Sequence, residues 1–154
     1  MKPELLSLSH YAATLLMTGI IWMVQLAHYP AMIYSDRESF PEYSERNQQW
    51  TSWVVIAPMC TELLTAVALL FTMRQAAERT GMRLDAGSLM FRSSVIILLI
   101  IWLSTFLIQV PIHRQLLAGW NETLIQRLVA TNWIRTVGWS VRSILLTMLL
   151  IRNS

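Results

Sequence analysis

His28, Glu62 and His113 stand in stretches of the chain that are otherwise almost free of charge. Two neutral imidazoles and a carboxylate form a ligand set that suits zinc, non-haem iron or copper, and open positions on such a metal would make it catalytic. Asn132, Gln109 and Gln25 are available as a further ligand or as hydrogen-bonding support. No His-Glu-x-x-His or Glu-x-x-His motif occurs on one segment, so the three ligands would have to come from three helices of a bundle. Haem between His28 and His113 is a variant of the same idea, but it leaves Glu62 and the nearby arginines to be explained separately. The bland alternative is a pair of interfacial histidines bonded to headgroups or backbone.

Glu62 and Arg142 are the most deeply placed charges. An ionisable side chain at the middle of a membrane helix costs about 2.5 to 3.5 kcal/mol on insertion scales, so each calls for a partner. Counted along their helices they reach similar depth, which predicts either a structural ion pair or a shared functional site. Gln25 and His28 are three residues apart, Gln109 and His113 four apart, and Asn132, Arg135, Trp139 and Arg142 follow a 3-4-3 spacing. These spacings predict a polar cavity in the outer half of the bundle. Within it Arg135 and Arg142 would hold an anionic group or the Glu62 carboxylate, and Asn132 would orient one of them. Trp139 would floor the cavity or stack on a guanidinium. His10 reads as a plain helix-end residue, Cys60 as a small buried apolar one, and most of Tyr29, Tyr34, Tyr43, Trp50, Trp53, Trp120 and Trp133 as interfacial anchors.

The elements that must position these groups follow from composition. Of 154 residues 55% are hydrophobic and only 14% charged, whereas a soluble domain carries roughly 25% charged residues. One cysteine excludes disulfides within the chain and thiolate metal clusters. A bilayer core of ~30 Å takes about 20 helical residues. Four stretches meet that need, at about 8–30, 51–73, 93–112 and 133–151, giving a single transmembrane domain over 1–154. The first is too long, and lacks a cleavage site, for a signal peptide to be the better reading. Pro58 and Pro111 should kink their helices without ending them, and Gly119 should end the third. From Asn121 an amphipathic helix is expected to run straight into the fourth span. The fold class is therefore all-α: an integral membrane four-helix bundle with an outer-face amphipathic helix leading into the fourth span. With both termini cytoplasmic, Lys2, Arg74, Arg79, Arg83, Arg92 and Arg152 lie inside and Arg37, Arg46, Arg114, Arg127 and Arg135 outside, a six-to-five balance that leans toward the positive-inside rule. No basic groove for nucleic acid is visible.

The block His28-Tyr29-Pro30, the segment Gln109-Val110-Pro111-Ile112-His113, and Asn132-Trp133-Ile134-Arg135-Thr136 leading to Arg142 resemble a group of small bacterial four-span membrane proteins. That group is similar in architecture to the anthrone-oxygenase-like membrane proteins, in which small aromatic anthrones are oxidised with oxygen. The resemblance implies a bacterial inner-membrane protein acting as an oxidoreductase or oxygenase on a small hydrophobic molecule. The competing expectation is a non-catalytic protein that binds a small molecule or lipid, or an accessory subunit, with a structural Glu62–Arg142 pair. Lipid is a partner in either case, nucleic acid in neither, and assembly into a homo-oligomer stays open.

Overall fold

The computed structural model describes residues 3–80 and 85–153. Four rods make up the molecule. Rod α1 covers Glu4–Tyr34, α2 Phe40–Thr80, α3 Ala86–Leu116 and α4 Glu122–Asn153. Each contains one of the four expected spans and is long and apolar enough to cross a membrane, so the chain is an all-α bundle of an integral membrane protein. Lys2, Gly81 and Arg83 lie outside the described residues.

Sequence features account for the ends of these rods. Asp36 accepts hydrogen bonds from the Ser39 backbone N–H and hydroxyl and turns the chain into α2. The same donors hold its carboxyl below the usual carboxylate range. Asp85 caps α3 through the Ser88 and Gly87 N–H groups and is likewise held low, chiefly by Ser88. Asn121 accepts from Leu124 N–H at the start of α4. Gly119, at φ +148°, takes a conformation that side chains disfavour and closes the preceding turn.

Proline shapes α1 and α3 in the same way. A π-helical turn, Val24–His28, precedes Pro30, and a second, Thr105–Gln109, precedes Pro111. In each the residue before proline donates five positions back, Tyr29 to Val24 and Val110 to Thr105. Proline cannot donate and its ring crowds the carbonyl four residues back, so the widened turn lets the helix pass through with one local interruption. Pro58 sits inside α2 with the helix assigned unbroken around it.

Packing sets the order of the rods. Rod α1 lies between α2 and α4, α4 lies between α1 and α3, and α2 meets α3 only sparsely. A ladder of hydroxyls joins α1 to α4: Tyr11 with Thr147 at 3.1 Å, Thr18 with Ser143 at 2.6 Å, and the Trp22 indole donating to Ser140 at 3.0 Å. Such contacts hold helices together where lipid supplies no hydrophobic drive. Gly138 lets α3 come close, for a Cβ there would lie 2.8 Å from Ile101 Cγ1. Large apolar side chains such as Leu64, Leu107 and Ile151 face outward, as lipid contact requires. Cys60 is exposed on α2, where composition alone suggested a buried residue.

All four rods are longer than the hydrocarbon layer is thick, α2 most of all. At 1.5 Å per residue the 41 residues of α2 extend about 61 Å, twice the hydrocarbon thickness. The acidic stretch after residue 36, expected as a connection, is from Phe40 onward the first turns of α2. Phe40 packs with Met32, Leu116, Ile125 and Leu128, all fully buried, into a helical cap over one end of the bundle. Arg37 stacks on Trp120 at 4.2 Å across the same end. This is the capped end. The opposite, terminal end holds the start of α1, the end of α4 and the start of α3 at Asp85.

Candidate functional site

Two buried polar clusters lie along α4, and Trp139 separates them. The deeper one is built on Glu62 and Arg142, both with fully buried side chains. Arg142 Nη1 donates to Glu62 Oε1 at 2.5 Å, and the Trp139 indole donates to Oε2 at 3.0 Å. Arg142 Nε bonds the Ser94 carbonyl at 3.1 Å and hydroxyl at 3.3 Å. Its Nη2 faces His10 Nε2 at 3.3 Å. Guanidinium nitrogens only donate, so Nε2 accepts, and the proton sits on Nδ1, which donates to Thr65 Oγ1 at 2.8 Å. Thr65 in turn donates to the carbonyls of Thr61 and Glu62. Every charged atom here has a partner.

The second cluster lies toward the capped end. Gln25 Nε2 bonds the Val129 carbonyl, and its Oε1 accepts from Asn132 Nδ2 at 2.8 Å and Thr136 at 3.2 Å. Arg135 Nε donates to Asn132 Oδ1 at 2.8 Å, and Nη2 reaches both that oxygen and the Tyr29 hydroxyl. Tyr29 then bonds His113 Nε2 at 3.0 Å. His28 and His113 flank the Tyr29 ring, at centroid separations of 5.8 and 5.5 Å. The Gln48 amide of α2 reaches over to the His113 carbonyl.

The expected site residues thus divide into two groups. Glu62 and Arg142 meet, as their depths predicted. His28 and His113 come to one ring, with Arg135 and Asn132 beside it. Glu62 is not with them, because it is spent on Arg142 and Trp139 in the other cluster. Among the described residues no three His, Cys, Asp or Glu side chains come together as a metal site would need. Arg142 lies eleven residues from the terminal end of α4 and twenty from the capped end. Trp139 is a fully buried donor to Glu62, and among the described residues no guanidinium stacks on it.

Among the cluster residues that escape sequence reasoning are His10 and Tyr29. His10 is 1% exposed and joins the ion pair. Six residues from the start of its helix it looks interfacial, and only the Thr14 and Thr18 that follow at four-residue steps hint at an inward face. Tyr29 is 3% exposed at the heart of the second cluster, where the aromatic-belt rule placed it at the interface.

A cavity of about 660 Å³ lies at the terminal end, lined by Leu69 of α2, Phe91 of α3, Leu146 and Leu149 of α4, and His10 and Tyr11 of α1. Glu4 and Asp85 stand at its mouth. The predicted cavity was at the other end. Phe91 packs edge-on against the His10 ring at 5.6 Å, so one residue links the cavity wall to the ion pair. Comparison with protein-family models, curated proteins and solved structures gives no match for the chain.

Proposed function

We propose that this is a small-molecule-binding protein of the membrane, in which the cavity at the terminal end receives a hydrophobic ligand and the Glu62–Arg142 pair is structural. The cavity carries the reading. Its volume falls in the range of about 300 to 1,000 Å³ usual for ligand sites, and apolar walls with a few polar groups are the usual lining. The saturated bonding of Glu62 and Arg142 supports the structural role, since neither keeps a free atom for a substrate. In this reading the terminal end faces the cytoplasm of a bacterial inner membrane. Displacement of the fluorophore 1-aminoanthracene from delipidated protein tests it. Wild type should bind the probe saturably. Ser88→Trp, which fills the cavity while keeping the backbone N–H that bonds Asp85, should abolish binding without loss of helicity. Equal binding by the variant would refute the proposal.

A second reading, a metal-dependent oxidoreductase on the same class of molecule, draws on the pairing of His28 and His113 around Tyr29, with His28 Nε2 and His113 Nδ1 both lacking partners among the described residues. Elemental analysis of purified protein decides it. A stoichiometric transition metal lost in His113→Ala would support this reading, and a metal-free wild type would end it.

A further inference from the structure

The capped-end cluster contains a cation without an anion. Arg135 is 8% exposed, and among the described residues no carboxylate pairs with it. Its bonded nitrogens, Nε and Nη2, are spent on two neutral oxygens, Asn132 Oδ1 and the Tyr29 hydroxyl. Nη1 takes no acceptor among the described residues. A guanidinium brought this far out of water needs either water or an opposite charge.

The surroundings are unfinished in the same sense. The Tyr29 hydroxyl accepts from Arg135 and shares a second hydrogen bond with His113 Nε2, and His113 Nδ1 is buried without a partner among the described residues. Gln109, 1% exposed and one helical turn before His113, has its Oε1 bonded to Ser104 and its amide nitrogen unpartnered. Buried polar atoms are almost always paired, so the unpartnered polar atoms on Arg135 and His113 call for a ligand to complete the cluster. Tyr29 lies five residues from the end of α1 and His113 three from the end of α3, about 5 to 8 Å along each helix. Both residues lie close to the capped end.

From these observations we infer that Arg135 is an anion-binding residue, held in aim by Asn132 and Tyr29, and that it takes a carboxylate or phosphate at the capped end of the bundle. The planar fork of arginine suits both oxyanions. Asn132 and Tyr29 act as positioning residues, since they bond the guanidinium rather than the ligand. The site is separate from the hydrophobic cavity, which opens at the other end.

Two sources could supply the oxyanion, a lipid headgroup or a soluble anion, and the test separates them. Thermal unfolding of detergent-purified full-length protein is followed with sodium phosphate or sodium benzoate, against sodium chloride at equal ionic strength. Parallel samples are placed in nanodiscs of phosphatidylglycerol or phosphatidylcholine. Saturable stabilisation by the free anions would assign a soluble ligand, and stabilisation by phosphatidylglycerol alone a headgroup. Either result supports the site only if Arg135→Gln weakens the response at least tenfold. Tyr29→Phe, which keeps the charge and loses its aim, should weaken it several-fold, and this variant carries the test if Arg135→Gln fails to fold. Full response in the variants, or no response of wild type to any of the anions, would overturn the inference.

Discussion

Around Arg142 a carboxylate, a carbonyl and an imidazole take up the charge, whereas around Arg135, two helical turns away on the same rod, the charge meets only an amide and a phenol oxygen. Both arginines are buried, both sit on α4, and both are reached by side chains from α1. The difference is what the other helices bring. Rod α2 contributes Glu62 to the first and, through Gln48, only a backbone-directed amide to the second. A closed network of this kind serves the fold, and an open one leaves capacity for something outside the chain. That distinction, more than the depth of a charge, separates the two arginines.

The comparison breaks most readily at Glu62. Replacing it with Leu leaves Arg142 buried and unpaired and should cost roughly 3 to 5 kcal/mol, read by reversible unfolding in micelles. Glu62→Leu with Arg142→Leu should recover at least half of that loss, because the pair is removed whole. A double variant as unstable as the single one would deny Glu62–Arg142 its purely structural role. Next in size is Arg135→Leu, which should cost about 1 to 3 kcal/mol, less than Arg142→Leu, since it strands only neutral groups. Equal losses would erase the contrast between the clusters. Trp139→Phe, which takes one donor from the Glu62 carboxylate, should cost about 1 to 2 kcal/mol and leave the anion response of Arg135 unchanged. The smallest effect concerns acid. Asp85 is held below its ordinary value in the folded chain, chiefly by Ser88, so its stabilisation is full above about pH 4 and fades as pH falls through the lowered value. Asp85→Asn should flatten that part of the melting-temperature profile while leaving the neutral-pH slope alone.

Much of this was legible in the sequence. Long uncharged runs marked the four rods, Asn121 and Gly119 marked the joints around α4, and matched depths paired Glu62 with Arg142. The misplaced parts have local causes. Gln25 and His28 were set on one face by three-residue spacing, but the π-helical turn widens that step, and Gln25 is 2% exposed while His28 stays partly open. A π turn leaves no signature beyond the proline that follows it. The first turns of α2 were read as a connection because their acids and polar residues suit water, which is also what a helix standing clear of the bilayer needs. Which end holds a cavity depends on where two rods part, and no single-chain pattern encodes the sparse contact of α2 with α3.

The chain's one thiol offers a ruler that needs no engineering. Cys60 is twenty residues from either end of α2, at its midpoint, and exposed. Two residues before Glu62 it points about 200° around the helix from the ion pair, so a nitroxide attached there would sit against acyl chains without touching the polar interior. Its relative collision rates with oxygen and with a nickel chelate would then fix how deeply the longest rod is sunk, and so how much of that rod stands in water at each surface.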